Sequence, residues 1–212
     1  MPNWCNNNIT ISGDEGTIRT LTAVLKSIKT SDEEQSNNVF QSLIGLPQHM
    51  SDGDYKEKWY DTNIEWFGTK WDISYSEDMF TFTKDEISFF CETAWSPPIP
   101  FLQHLCEMYK VNANLFYSEG GVGFSGESTF NWVDGELEVY DDECGYLEGI
   151  YKYSRDEFWS EVESRVDCIL DEEQTLEDFI SEFDFVSEED KEELTRLYNE
   201  TIKENDEESE GE

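Results

Sequence analysis

The order of apolar and polar positions divides the chain into a strand-rich front two thirds and a helical remainder. Ile87, Phe89, Phe90, Cys91 and Ala94 leave little solvent-facing polarity, which predicts a buried strand. Ser96 followed by Pro97 and Pro98 stops that strand and starts a helix, because proline needs no backbone donor at the first helical position. Phe101, Leu102, Leu105, Cys106 and Tyr109 then recur at helical spacing, and residues 111–117 return as a strand. Strand, helix, strand within about 30 residues is half of a split βαβ sandwich. Upstream, residues 4–11 alternate as a strand that ends at Gly13. Ile18, Leu21, Val24, Leu25 and Ile28 line one face of a helix over 17–28. Residues 29–38 read as exposed loop, 40–46 as a short apolar anchor and 51–66 as a helix. Residues 68–75 and 79–83 read as strands joined by a turn at Glu77-Asp78. A tight turn at 119–121 leads into a strand over 122–133, and Asp134-Gly135 signals a hairpin back through 137–140.

Beyond residue 140 the period changes. Ser154, Thr175 and Ser187 each stand three residues ahead of an acid (Glu157, Asp178 and Asp190), the signature of a capped helix start. Apolar faces follow: Phe158, Trp159, Val162, Val166, Ile169 and Leu170, then Leu176, Phe179, Ile180 and Phe183, then Leu194, Leu197, Tyr198 and Ile202. These are helices that pack. The expected organisation is an α+β domain over 1–150, an acidic α-helical extension over 151–204 and a disordered tail over 205–212.

Charge changes the picture most. The 212 residues carry 50 acids against 14 bases, a net charge of −36, while 37% hydrophobic and 15% aromatic residues supply ample core. Residues 141–212 hold 28 of the acids and 6 of the bases. Such a field repels nucleic acid and anionic membrane and attracts basic surfaces, so no direct nucleic-acid partner and no membrane are expected. No run of 18 apolar residues occurs, and no basic region followed by an apolar run marks a signal peptide. Five scattered cysteines without a C-x-x-C pair point to reduced thiols and a cytoplasmic setting.

Three segments carry a family resemblance: Met1-Pro-Asn-Trp-Cys-Asn6, Gly68-Thr-Lys-Trp-Asp72 and Thr93-Ala-Trp-Ser-Pro-Pro98. In this order they resemble a phage- and plasmid-borne group of small proteins described as having a YubB-like ferredoxin-like domain. The resemblance covers roughly residues 1–140. It implies a ferredoxin-like βαββαβ sandwich, here with an added β-hairpin, and an origin on a mobile element in a bacterial host cell. It implies no catalytic residues.

Each candidate for chemistry has a plainer reading beside it. Gly121-Val-Gly-Phe-Ser-Gly126 matches the dinucleotide fingerprint, but it runs into strand, and Glu119 and Glu127 flank it with the wrong charge. Asp52-Gly-Asp54 and Asp141-Asp-Glu143 lack the spacing of a calcium loop. His49 and His104 stand in no nucleophile constellation. No enzyme, cofactor or metal site is therefore expected. Trp59, Tyr60, Trp66, Phe67 and Trp71 crowd one region, either as packing under a long loop or as a protein-binding patch.

The acidic helices give the sharpest expectation. Residues 154–204 would extend about 75 Å as helix, with 19 acids against 5 bases. Three such helices side by side would show a net charge about every 2 Å, near the spacing of about 1.7 Å on duplex DNA. Solubility alone needs a magnitude of only about 2–8. The expected function is a DNA mimic that binds the basic nucleic-acid groove of a host enzyme, such as a defence nuclease, and inhibits it. Its partner-binding carboxylates would be Glu157, Glu161, Glu163, Asp167, Asp171, Glu172, Glu173, Glu177, Asp178, Glu188, Glu189, Glu192 and Glu193. The alternative is a regulatory interaction module that binds through its aromatic patch, with the acidity serving solubility.

Overall fold

The computed structural model describes residues 3–28, 38–172 and 175–209, with side chains for all of these except 167–172 and 204–209. The chain divides into two units, Met1–Glu143 and Cys144–Glu212.

The first unit contains β1 (Trp4–Ser12), α1 (Glu15–Ser27), α2 (Val39–Ile44), α3 (Asp52–Phe67), β2 (Phe80–Phe82), β3 (Glu86–Ala94), α4 (Ile99–Tyr109), β4 (Asn112–Glu119), β5 (Phe124–Val133) and β6 (Glu136–Gly145). The strands form one sheet in the order β2-β3-β1-β4-β5-β6. β1 sits between β3 and β4 and is antiparallel to both. Four strands and two crossing helices in this order are the βαββαβ sandwich, extended past β4 by the β5–β6 hairpin. That hairpin turns at Asp134 and Gly135, both at positive φ (52° and 90°), which matches the Asp-Gly signal in the sequence.

Alternation along the strands puts Cys5, Ile9, Ile11, Ile87, Phe89, Cys91, Ala113, Leu115 and Tyr117 on the helix-covered face. They bury against Ile18, Leu21 and Leu25 of α1, Phe40 and Leu43 of α2, and Phe101, Leu102 and Leu105 of α4. Each side chain of this size contributes about 1.5–3 kcal/mol by leaving water. On the opposite face Asn8, Phe90, Glu92 and Asn114 are exposed. β6, the outermost strand, is exposed along most of its length.

One predicted strand is absent. Residues 68–75 form a bent segment with a single bridge, Asn38 to Ser74. The alternation there is real, with Ile73 and Tyr75 buried, but the segment's polar groups are used elsewhere. Asp72 caps α2, Thr69 binds the end of β3, and the Lys70 carbonyl accepts from Asn63. The expected turn at Glu77-Asp78 is a 3-10 turn, Glu77–Met79, and the strand after it shortens to β2.

The second unit contains α5 (Tyr146–Tyr153), α6 (Arg155–Glu172), α7 (Leu176–Ser181) and α8 (Glu188–Ser209). The sequence did not anticipate α5, and because α5 packs on α6 the unit begins at Cys144 rather than at 151. The expected tail at 205–212 is taken into α8 as far as Ser209, and 210–212 lie outside the described residues. The unit's centre is aromatic: Phe158, Phe179 and Phe183 are buried and meet edge to face.

Candidate functional site

The three segments that carry the family resemblance meet in space. The Trp95 N–H donates to the Asn3 carbonyl at 3.0 Å, the Thr69 hydroxyl accepts from the Ala94 N–H at 3.0 Å, and the Ser96 hydroxyl donates to the Gly68 carbonyl at 2.6 Å. Asn7, fully buried, ties β1 to β3 by donating to the Cys91 carbonyl and the Thr93 hydroxyl. Gly68 is required twice over. Its φ is +82°, and a Cβ there would stand 2.5 Å from Pro100 Cδ and 3.0 Å from the Pro97 carbonyl.

This frame pushes one tryptophan outward from each segment. Trp4, Trp71 and Trp95 are 47%, 39% and 41% exposed, and their rings run in a row, with centroids 6.2 Å apart for the first pair and 6.1 Å for the second. Trp95 holds φ = +70°, a left-handed conformation that costs a bulky residue about 1–2 kcal/mol. The Lys70 ammonium lies 4.4 Å from the centre of Trp71, 5.0 Å from that of Trp95 and 5.8 Å from that of Tyr60. Tyr60 and Trp59 are also exposed. The crowd seen in the sequence therefore splits. Phe67 is fully buried, and Trp66 is half-buried, stacked on His104 and donating to the Gly45 carbonyl. Trp59, Tyr60 and Trp71 face outward.

Two clefts flank the Trp71-Asp72 dipeptide. One of about 380 Å³ is lined by Tyr55, Trp59 and Asn63. The other, of about 300 Å³, lies between Trp4, Trp71, Met79 and Glu92 at the end of β3. Asp72 touches both. Its carboxylate accepts from the Phe40, Gln41 and Ile73 N–H groups at 2.7–2.8 Å, and burial outweighs these bonds, pushing its pKa up to about 6.

The acidic helices place their carboxylates differently. Asp167, Asp171, Glu172 and Glu173 lie outside the described residues and side chains. Glu157 accepts from the Tyr146 hydroxyl. Glu161 pairs with Arg165, Glu188 with Lys191 and Glu193 with Arg196. Asp178 closes the cap of α7 with Thr175. Glu163, Glu177, Glu189 and Glu192 are exposed, and only Glu189 and Glu192 share one helix face. Asp190, outside the expected set, is the most engaged: it accepts from Arg155, the Tyr151 hydroxyl and the Ser187 hydroxyl, which hold its pKa well below the usual carboxylate range.

The other candidates have structural duties. Asp54 completes a capping box with Ser51, and Asp141 accepts from the Tyr117 and Ser128 hydroxyls. Gly121–Gly126 spans a turn and the start of β5, where the Glu119 carboxylate accepts from the Gly121 and Val122 N–H groups. Burial pushes the Cys5 and Cys106 thiols up to about 12 and the Cys91 thiol higher still. Among the described residues no three His, Cys, Asp or Glu side chains gather as a metal site, and no helix is long and apolar enough to cross a membrane.

The sheet order and the helices on one face define a ferredoxin-like domain. The chain belongs to the family described as the ferredoxin-like domain in Api92-like protein, whose model matches residues 70–199. That span continues past Asp141, where the motif resemblance ended, into α8. The crystal structure of a protein Api92 from Yersinia pseudotuberculosis is similar over 69% of this chain and 98% of its own, with 9% identity and a TM-score of 0.37. No curated protein matches the chain.

Proposed function

We propose that this is a non-catalytic protein of a mobile genetic element that binds a partner protein in the bacterial cytoplasm through the tryptophan face. The observation that carries this reading is the convergence of three distant segments, each delivering one exposed indole, one of them on a strained backbone. Exposed aromatic patches mark interaction sites, and tryptophan is among the residues enriched at binding hot spots. The high acidity then serves solubility and steers basic partners.

DNA mimicry by the helical unit is a second proposal, and one observation favours it. Lys152, Arg155, Arg165, Lys191 and Arg196 are each paired with an acid of the same unit, so they do little to mask the carboxylates left exposed.

One experiment separates the two. Immobilised full-length protein captures partners from bacterial lysate at about 0.05 and 0.5 M salt, alongside a Trp4→Ala/Trp95→Ala variant and a Glu163→Gln/Glu177→Gln/Glu189→Gln/Glu192→Gln variant. The tryptophan reading expects a partner that survives the salt step and is lost only from the first variant. A partner eluted by salt, competed by DNA and lost only from the second would overturn it in favour of mimicry.

A further inference from the structure

Resting on the tryptophan face as the contact surface, we infer that the cleft lined by Trp4, Trp71 and Glu92 is a receptor for an arginine side chain of a basic protein partner. Four observations lead there. The rings already serve as a cation acceptor, since the Lys70 ammonium lies over Trp71 and Trp95. The cleft next to them sets indole walls beside the exposed Glu92 carboxylate. A planar guanidinium suits this combination better than an ammonium, because it stacks on an indole and pairs with a carboxylate at the same time. At net −36, the chain draws basic rather than acidic or neutral surfaces toward itself.

The backbone supplies room for the segment that bears the arginine. β2 pairs with β3 only from Ile87 to Phe89, so among the described residues no strand covers the outer side of β3 beyond Phe89. Cys91, Glu92 and Ala94 line the cleft there, and the Ala94 N–H is taken by Thr69. An extended partner segment laid along this side would send one side chain into the cleft beside Trp4 and Trp71, within reach of Glu92.

The test uses the full chain with 15N-labelled indoles at about 0.15 M salt, where diffuse adsorption of cations to the acidic surface is screened. The probes are Nα-acetyl-arginine amide and its neutral isostere Nα-acetyl-citrulline amide. The expected result is a saturable shift of the Trp4 and Trp71 indole signals by the arginine probe, with Kd on the order of 1 mM. Citrulline binding should be at least about fivefold weaker and Glu92→Gln should weaken the arginine probe severalfold, as loss of a charge partner predicts. Trp132, whose indole N–H donates to the Cys106 carbonyl, serves as the unaffected reference. Equal shifts from citrulline, or an arginine response that never saturates and moves Trp132 equally, would overturn the inference. If the probe fails while Trp4→Ala/Trp95→Ala still loses the captured partner, the arginine inference falls and the tryptophan face stands. If that variant keeps its partner, the face itself falls.

Discussion

The tryptophan face and the acidic helices use their conspicuous residues in opposite ways. On the face, hydrogen bonds among backbone and small polar groups form a frame, and the tryptophans are left outside it. In the helical unit the conspicuous residues are the frame: Asp190 joins α8 to Tyr151 and Arg155, Glu161 and Glu182 hold Arg165, and Asp178 caps α7. A residue type that is abundant has many structural duties open to it. A few tryptophans turned outward by a rigid frame have fewer, so they point more sharply to a partner.

The largest expected effect strikes the frame of the face. Gly68→Ala would add left-handed strain and a clash with Pro100 and the Pro97 carbonyl, costing about 3–4 kcal/mol in urea unfolding. A cost below about 1 kcal/mol would mean that the three segments are not locked together.

Next is a pH effect of opposite sign in the two regions. Asp72 is raised from 3.8 to about 6, so the fold prefers its protonated form. Its contribution to stability is full below pH 4 and is lost as pH rises through about 6, on the order of 2–3 kcal/mol. Asp190 is lowered, so its contribution is present above the ordinary carboxylate range and is lost as pH falls below that range. Asp72→Asn should remove the first slope, as read by site-resolved hydrogen exchange between pH 4 and 7. An unchanged slope would show that burial does not dominate at Asp72.

Asp190→Ala should destabilise the helical unit by about 2 kcal/mol, because it removes a bidentate arginine pair and leaves the Tyr151 hydroxyl without its acceptor. Thermal unfolding of the variant against wild type measures this. By contrast, Glu163→Gln, Glu177→Gln, Glu189→Gln and Glu192→Gln should each stay within about 0.5 kcal/mol.

Trp95→Gly is a small change in stability and the most telling in function. Relief of the positive φ should offset the lost stacking on Trp71 to within about 1 kcal/mol, while partner capture falls. A variant that binds normally would remove Trp95 from the site.

Much of the fold was legible because it follows from period and punctuation. Ile87 to Ala94 and Phe101 to Tyr109 announce β3 and α4, and Pro97-Pro98 mark the break between them. The site was legible only in part. Trp71 stands out as one of a crowd, but its ring neighbours Trp4, in β1, and Trp95, just past the end of β3, are brought together only by the sheet order. Asp72 resembled any other polar residue in an alternating segment until its capping of α2 showed why that segment bends. In the sequence the carboxylates of the helices read as one surface, because a sequence shows charge but not partners. Arg165 and Arg196 are each shared between two acids, a pairing that a sequence does not display.

The outermost strand carries a consequence for crowding. Among the described residues no strand pairs with the outer side of β6, and edges of this kind recruit further strands from neighbouring molecules. Here Glu136, Glu138, Asp142 and Glu143 line it, all exposed, with Val139 and Tyr140 between them. A second molecule arriving edge to edge would bring like charges opposite one another, so mutual repulsion guards a stretch whose backbone would otherwise invite polymerisation.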